Sequence, residues 1–577
     1  MSEWKNIAYP ESLPPEKIPM DRPLGIDFET PGLKDFRPLL LAVAWQSGKQ
    51  TKSVVYDVVK MTRLQQKHLI EVLERSNSII AHNVLFELRV LYYWGADVKK
   101  LFGKIEDSMI AIAVQDTEQA KGLKENAEQV GMTLSTYKES VKAGPMQFIE
   151  YCRQDAITCL LLWQKYMEIV RKRKCQLAYE MEVRLVWVVL DMYISGFYMD
   201  MDRIKVLYDE TKEYVDNLLI GLTDVAGRVI NFNSTAQLRD LFYGDLGAEP
   251  NPDHYTSGGK SGNRMPGTGV AALQDLVERY GENRPGLVAQ KLLEYREYHK
   301  FLSTYLGDGF MSHIEPDGRI RTSLNALATA SSRFSSNDPN LQNIPSRGIG
   351  KRLREAFVPS PGNVLLQIDY SQIEYRFMVH YMQDSDLIEA YRRGEDFHTS
   401  TSRAFGVDRS LGKKLNFTLL YGGGVKKLAM TMGIDEDQAR EYYNLYHTGL
   451  PNLRKFRKQV DAYVHMTGHV KMMSGRCRGM MGYIEKKDGS AERIGVNTIV
   501  QGNAGELLKL AMIRIHDVLP SSIKMILQIH DELIFDGPEK ELLDFQHTVQ
   551  EIMETSHELS VPLIAEPKIV NTWAEAK

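Results

Sequence analysis

Cysteine is scarce in this chain. Four occur in 577 residues, Cys152, Cys159, Cys175 and Cys477, and none belongs to a CxxC pair. That excludes a zinc ribbon and a disulfide-stapled scaffold, and fits a reducing compartment. No apolar run reaches the roughly 20 residues needed to cross a bilayer. The N-terminus carries Glu3, Glu11 and Glu16 among prolines, unlike a signal or transit peptide. Repeats and low-complexity tracts are missing. Bulk positive charge is missing too: 71 Lys and Arg face 75 Asp and Glu, a net of -4, so global charge does not mark a nucleic-acid binder. What remains, 43% hydrophobic and 25% charged residues, is the composition of a soluble globular protein long enough for three or four domain-sized units.

Local charge says more. Residues 451–480 hold seven cations (Arg454, Lys455, Arg457, Lys458, Lys471, Arg476, Arg478) against one anion, Asp461. Such a patch suits a phosphate backbone, with a solvated helix face as the competing reading. Just upstream, Arg409, Lys413, Phe417 and Tyr421 recur every four residues before Gly422-Gly-Gly424. On a helix they form one slanted stripe about 18 Å long. Its cations lie where a helix N-terminus already favours phosphate, and its rings lie where a base or sugar would rest. An amphipathic helix with a basic face explains the stripe alone equally well.

Carboxylates form two sets. In the first, Leu24-Gly-Ile-Asp27-Phe-Glu29-Thr reads as a strand with Asp27 and Glu29 on one face. Residues 39–45 and 53–57 continue a sheet, 64–75 a helix, and Ser78–Asn83 another strand. The helix after Asn83 carries Glu87. A long helix from Phe148 to about Lys172 carries Tyr151 and Asp155 as i,i+4 neighbours. Oxygen ligands of this kind suit two hard divalent cations, which activate a water and clamp a phosphodiester. Scattered acids on a solvated surface are the competing reading for any one of them. In the second set, Asn363–Asp369 is a strand ending in an acid, and Tyr370-Ser-Gln372-Ile-Glu374 turns into a helix. Lys524–Phe535 reads as a hairpin presenting His530-Asp531-Glu532. A strand-terminal carboxylate beside its own backbone carbonyl, here that of Asp369 or Tyr370, is a good metal perch.

Between the two sets, residues 176–229 read as helical, with a turn at Ser195-Gly196 and a cap near Asp200. A further helix follows Ser234, and Asn251–Gly269 reads as a mobile loop carrying Lys260 and Arg264. Helices resume over 270–280 and 286–306. Ser332-Arg333 through Gln342-Asn343 is too polar for a core. Arg347, Lys351, Arg352 and Arg354 after it are well placed for phosphates.

Together Asp369–Glu374, the 409–421 stripe and Gln528-Ile-His530-Asp531-Glu532 resemble, in order and composition, the three polymerase motifs of family A DNA polymerases. Asp27/Glu29, Asn83/Glu87 and Tyr151/Asp155 resemble the three motifs of a DnaQ-like 3′–5′ exonuclease. The family usually has Asp where this chain has Glu87. The extra methylene shifts that carboxylate by about 1.5 Å, a departure that bears on the strength of the second metal site and not on its existence. The family also more often reads Gly-Arg-Leu where this chain has Ser332-Arg333-Phe. The resemblance runs from about Gly25 to Lys577 and is greatest to the large fragment of the bacterial enzymes.

The resemblance implies a mixed α/β and α+β multidomain architecture. An RNase H-like exonuclease domain (1–175) would precede a right-hand polymerase of thumb (176–330), palm (331–390 and 481–577) and fingers (391–480). It implies two Mg²⁺ per active site, with Mn²⁺ able to substitute. Asp369, Tyr370 and Asp531 would hold them in the polymerase, and Asp27, Glu29, Glu87 and Asp155, beside Tyr151, in the exonuclease. His398, Arg409 and Lys413 would bind the triphosphate, with Lys413 protonating the leaving group. Phe417 and Tyr421 would pack on the base and sugar beside Gln372, and Glu374 would exclude a ribose 2′-OH. Arg333, Gln342, Asn343, Arg347, Arg354, Arg476, Asn497, Gln501, Gln528, His530 and Glu532 would contact DNA. The implied partners are primer-template DNA and dNTPs, with a helicase or primase of the same replisome, no membrane and a monomeric state. Only ten residues separate His398 from Arg409, closer to phage enzymes than to bacterial ones. No 5′-nuclease is expected ahead of residue 25. Phage replication in a bacterial host cytoplasm is the expected setting. A single-subunit RNA polymerase is the alternative enzyme, but it is not expected to carry the exonuclease acids or Glu374. A catalytically inactive DNA-binding accessory subunit is the other alternative, and it would have lost carboxylates that are present here.

Overall fold

The structure is a computed structural model that describes residues 13–257, 262 and 264–576. Lys260 lies outside the described residues. In the first part β1 (Pro23–Glu29), β2 (Leu40–Ser47), β3 (Gln50–Asp57), β4 (Ser78–Ala81) and β5 (Ile105–Asp107) form one sheet, ordered β3-β2-β1-β4-β5. β2 is antiparallel to β1 and β3, whereas β4 is parallel to β1 and to β5. Helices α1 (Arg63–Arg75) and α2 (Val84–Trp94) make the crossovers, and α3 (Ser108–Gln115), α4 (Leu123–Ala127), α5 (Tyr137–Ala143) and α6 (Pro145–Arg173) follow. A reciprocal Thr62/Gln65 capping box starts α1.

The strand period sorts β1 as its alternation predicts. Leu24, Ile26 and Phe28 enter one core with Leu41, Val43 and Ile79. The opposite face of the sheet, with Leu40, Ala42, Ala44 and Ile80, packs on Phe148, Ile149, Cys152 and Ala156 of α6. Gly25 makes this approach possible, because a Cβ there would stand 2.6 Å from the Ala156 carbonyl oxygen. Asp27 and Glu29 lie on this α6-facing side.

Next come α7 (Gln176–Ser195), β6 (Phe197–Tyr198), α8 (Met201–Ala226), α9 (Thr235–Arg239), α10 (Val270–Tyr280), α11 (Arg284–Tyr305), α12 (Asp308–Met311) and β7 (Arg319–Ile320). Asp200 caps α8 and Ser234 caps α9. Leu222, Phe232, Phe242, Leu273, Leu276, Val288 and Leu292 of this part form a core of their own. Helix α7, which begins at Gln176, packs on two bodies. Ala178, Tyr179, Trp187 and Leu190 join the core of the first sheet, while Met181, Leu185, Val188 and Met192 join that of the third part. It is a shared spine, because both of its faces are apolar and each finds a different body.

The third part holds β8 (Ser323–Asn325), β9 (Ser335–Asn337), α13 (Ile349–Arg354), β10 (Val364–Tyr370), α14 (Ile373–Met382), α15 (Ser385–Arg392) and α16 (Phe397–Phe405). Then come α17 (Arg409–Leu419), α18 (Val425–Met432), α19 (Glu436–Gly449), α20 (Pro451–Thr467), β11 (His469–Lys471), β12 (Cys477–Gly479) and α21 (Met481–Ile484). The chain closes with α22 (Ser490–Val518), β13 (Lys524–Ile529), β14 (Glu532–Gly537), α23 (Glu539–Thr555) and β15 (Ala565–Val570). The second large sheet is antiparallel, ordered β13-β14-β10-β15. No helix among the described residues is long and apolar enough to cross a membrane.

The basic segment 451–480 does not act as one patch. Arg454, Lys455 and Lys458 are exposed on α20 while Leu453 and Phe456 are buried, as a solvated helix face requires. Arg457 pairs with Glu492, and Arg478 with Glu118. Arg476, expected on DNA, is 1% exposed and corrects that expectation. It pairs with Glu182 of α7 and Glu506 of α22, and Lys509 of α22 reaches the same Glu182 at 2.6 Å. Glu182→Gln leaves two buried cations facing one carboxylate, and is expected to cost about 3–5 kcal/mol. A fall in the denaturant midpoint measures it; an unchanged midpoint would show the network to be dispensable.

Candidate active sites

The first site is assembled from three elements. Asp27 and Glu29 come from β1, Glu87 from the first turn of α2, and Tyr151 and Asp155 from α6. Asn83 caps α2 in the left-handed region at φ 74. Asp107 fixes that corner, its Oδ2 accepting from the Val84 amide at 2.7 Å and its Oδ1 from the Met109 amide at 2.6 Å. Burial is deep: Glu29, Glu87 and Asp155 are 8%, 4% and 4% exposed. Asp27 Oδ2, Glu87 Oε2 and Asp155 Oδ1 are buried without a hydrogen-bond partner among the described residues. Orphaned carboxylate oxygens of this kind are the donors a hard divalent cation takes. Among the described residues, Asp27, Glu29 and Cys152 lie close enough together for one ion, although a thiol is a poor ligand for a hard cation.

The electrostatics agree. Burial, with Glu29, Asp155 and Glu87 as neighbours, holds Asp27 well above the carboxylate range. Burial and Asp155 push Glu29 to about 8, opposed by Lys124. Burial lifts Asp155 to about 6 and raises Glu87 strongly. Without metal, much of this cluster is protonated at neutral pH. Lys124 of α4 was not singled out in the sequence. Its Nζ donates to Tyr151 Oη at 3.1 Å and lies 4.3 Å from that ring's centroid. Nothing in its Gly-Leu-Lys-Glu setting signals this, because the contact depends on how α4 docks on α6.

The second site sits at the ends of two neighbouring strands. Asp369, next to last in β10, lies opposite Glu532, and Asp531 lies in the two-residue loop joining β13 to β14. The Tyr370 amide donates to the Asp531 carbonyl at 3.2 Å, so the two acids stand side by side and half-exposed. Paired carboxylates at open strand ends also suit a divalent cation. His530 takes φ 55 and Gln372 φ 54, left-handed values that non-glycine residues hold mainly where surroundings enforce them. The Tyr370 side chain cannot be a ligand: it is buried, with its hydroxyl donating to the Met553 carbonyl at 2.7 Å. Only its backbone carbonyl remains for that role.

Helix α17 forms as the stripe predicts, capped by Asp408 through the Ser410 and Leu411 amides. Arg409, Lys413 and Phe417 are exposed, and Tyr421 follows half-buried after the last turn. Gly422 takes φ 81, and a Cβ on Gly423 would meet the Thr418 carbonyl oxygen at 2.3 Å, so glycine is required at both. Arg409 pairs with Asp396, a partner missed in the sequence. The Tyr421 hydroxyl donates to Glu374 and also bonds Gln501, and Arg333 pairs with the other oxygen of Glu374. Asn497 and Gln501 share a half-buried face of α22. Gln342 Nε2 donates to Gln528 Oε1 at 2.9 Å. Asn343 and Arg347 are exposed nearby.

Four further expectations are corrected. Arg354 is 6% exposed, donates to the carbonyls of Ile344 and Pro345, and stacks 4.0 Å over Trp573. It shapes the 341–345 segment and is not exposed to phosphate. Glu532 and Gln528 are each 1% exposed, because their β-positions face the core, so only the His530-Asp531 tip is open. His398 is 4% exposed behind α17, with Nδ1 3.1 Å from Asn416 Nδ2, and burial lowers its pKa. It stands as a neutral ring behind the stripe.

Comparison with known proteins agrees with this geometry. The family model described as DNA polymerase family A matches residues 201–575, and that described as 3′-5′ exonuclease matches residues 14–171. DNA polymerase I of Streptococcus pneumoniae is 35% identical over 420 residues, 70% of this chain and 46% of that protein. DNA polymerase I of Chloroflexus aurantiacus is 32% identical over 527 residues, 86% of this chain and 54% of that protein. The chain spans about half the length of these curated relatives. Among solved structures, the POL domain of Pol1 from M. smegmatis, in complex with DNA primer-template and dNTP, superposes with a TM-score of 0.82 at 26% identity, covering 96% of both chains.

The raised carboxylates of the first site give a pH signature. Their folded pKa values lie above the unfolded ones, so between the ordinary carboxylate range and about pH 8 the folded metal-free protein binds more protons than the unfolded chain. Stability therefore falls as pH rises through that window. Glu29→Gln with Asp155→Asn should flatten the slope and raise the melting temperature at pH 8 in a chelator. Equal slopes for variant and wild type would refute the assignment.

Proposed function

Since the chain belongs to DNA polymerase family A, we propose that it extends a primer 3′-OH on a DNA template with dNTPs and removes mispaired ends through a 3′–5′ exonuclease. The observation that carries this reading is the presence of two separate carboxylate sites, one on each of two different sheets, with the cation-aromatic stripe of α17 belonging to the second. The neighbour solved with primer-template and dNTP supports the same ligands here.

Divalent cations, Mg²⁺ in our reading, would be held by Asp369, Asp531 and the Tyr370 carbonyl in one site, and by Asp27, Glu29, Glu87 and Asp155 in the other. When bound they lower the pKa of the attacking hydroxyl or water and offset phosphate charge. The rest belongs to the chain. Lys413, exposed one turn along from Arg409, faces the outgoing phosphates and is placed to give up a proton to them. Arg409 reaches the same phosphates by exchanging Asp396 for them. Phe417 presents a flat exposed ring to base and sugar. Glu374, held by Arg333 and Tyr421, blocks the space of a ribose 2′-OH. Asn497 and Gln501 face the minor groove, where acceptors vary little with sequence, so contacts there test pair shape. In the exonuclease, Tyr151 is held by Lys124 beside the carboxylates and orients the attacking water. The short spacing from His398 to Arg409 supports a phage replicative enzyme working in a host cytoplasm with a helicase or primase.

Two experiments test this reading. Asp531→Asn should abolish primer extension and leave single-strand degradation intact, while Asp27→Ala with Glu29→Ala should do the reverse. Loss of both activities in either folded variant would sink the two-site reading. Glu374→Ala should raise ribonucleotide incorporation, measured as the kcat/KM ratio of dNTP to NTP, by about tenfold or more, since rejection rests on that one blocked space. An unchanged ratio would place the gate elsewhere.

A further inference from the structure

All four cysteines are buried, and two of them meet where the first part of the chain touches the third. Cys175, between α6 and α7, has its Sγ 3.8 Å from that of Cys477, the first residue of β12 and 302 positions away. A close approach of two backbones builds the contact. Gly475, in the turn before β12, takes φ 88, and a Cβ there would stand 2.4 Å from the Lys174 carbonyl oxygen. Lys174 itself ends α6 in the left-handed region at φ 58. The Cys175 thiol lies 3.1 Å from the Gly475 carbonyl oxygen, a possible acceptor for its proton. Two cations attend the pair. Lys471 stands opposite Cys477 in the hairpin, and its Nζ donates to the Arg173 carbonyl at 2.7 Å. Packing accounts for two buried thiols side by side, but not for a Lys and an Arg gathered at them.

The charges favour one thiolate. The hydrogen bond from Cys175, with Lys471 and Arg173 nearby, draws Cys477 down to about 7 against the effect of burial, while the same hydrogen bond and burial raise Cys175. Cys152 and Cys159 differ: burial and the carboxylates of the first site hold both well above the usual thiol range. A cleft of about 650 Å³, with Arg173, His469, Gly479 and Met481 in its wall, lies beside the junction and brings small solutes near it. We propose that Cys175 and Cys477 are a dithiol that a hydroperoxide oxidises to a disulfide, stapling the start of α7 to β12. The Cys477 thiolate attacks a peroxide oxygen, the O–O bond breaks, the departing hydroxide takes up a proton as water, and Cys477 becomes a sulfenic acid. The Cys175 sulfur then attacks the Cys477 sulfur, the S–O bond breaks, and the hydroxyl leaves with the Cys175 proton as a second water. Two thiols thus lose two electrons and two protons to one peroxide. The sulfurs close from 3.8 Å to about 2.05 Å, within reach of side-chain rotation. Because α7 packs in the cores of both bodies, the bond crosslinks one body to the other. In a reducing compartment it is reversible.

The test uses the full chain, reduced, freed of added thiol and held in EDTA with a small excess of hydrogen peroxide. Wild type should lose two of its four thiols, read by alkylation and mass, and its digest should contain a peptide joining Cys175 to Cys477 that dithiothreitol releases. The crosslinked protein should melt about 5 °C or more above the reduced one, because the loop closed is long. In Cys175→Ser the sulfenic acid on Cys477 has no resolving partner and should be trapped by dimedone. In Cys477→Ser, Cys175 should stay unmodified. Four intact thiols under peroxide, or a disulfide through Cys152 or Cys159, would overturn the proposal, and wild type alone decides this if neither variant folds. Oxidation of Cys477 without the crosslink would overturn the pairing and leave a single reactive thiol. An unchanged melting temperature in crosslinked protein would overturn the staple between the two bodies.

Discussion

The assembly depends on a buried, balanced quartet: Glu182, Arg476, Glu506 and Lys509, with side chains 0–2% exposed. Burial alone would raise the pKa of Glu182, yet Lys509 and Arg476 outweigh it and hold Glu182 below the carboxylate range. No member tolerates the interior alone. The four charges therefore come together only if α7, the β11–β12 turn and α22 dock at once. Because α7 also completes the core of the first sheet, this one cluster fixes the exonuclease body against the polymerase body. It reaches further. Lys509 Nζ also donates to the Ala326 carbonyl at 2.8 Å and Ser332 Oγ at 3.2 Å, setting the loop that presents Arg333 to Glu374.

The two carboxylate sites solve opposite problems with the same residue type. In the first, α6 lies close over β1 by virtue of Gly25 and withdraws the acids from water, so their negative charge is disfavoured until a cation arrives. A cation bound there would displace protons, which would couple its occupancy to pH. In the second, the acids stand at strand ends, half in solvent.

Much of this was legible because pattern and period are local properties. The alternation in β1, the i,i+4 pairs on α6 and α22 and the four-residue stripe of α17 each name a face, and each face is where the period puts it. What lies against a face is not local. Arg476 sits in Met-Met-Ser-Gly-Arg, which reads as a surface turn; its burial is made by Glu182 and Glu506, far off in sequence. Arg354 follows Lys351 and Arg352 and looks like a third phosphate contact, yet Trp573, near the other end of the chain, covers it. Lys124 and Asp396 escaped notice for the same reason, since a lone Lys or Asp acquires meaning only from a partner on another element. Helix α7 carries two apolar faces, a pattern that says both are buried without saying by what.

The link from Glu374 to Tyr421 carries a mechanical consequence. Glu374 stands in the first turn of α14, just after the strand that carries Asp369, whereas Tyr421 stands at the exit of α17, immediately before Gly422 and Gly423, where the backbone geometry admits only glycine. Phe417, Lys413 and Arg409 extend from that exit along a single helix. A rotation of α17 about the glycine pivot moves all three together and must first strain or break the hydrogen bond between Tyr421 and Glu374. The carboxylate that would exclude a ribose is therefore the same group that senses the position of the helix that would bind the triphosphate. Arg333 and Gln501 bracket the pair from the side where primer and minor groove would lie, so sugar selection, helix position and primer placement meet in one hydrogen-bonded cluster. Such a cluster is cooperative: removing any member changes the other contacts as well, and effects of substitutions within it are expected not to add.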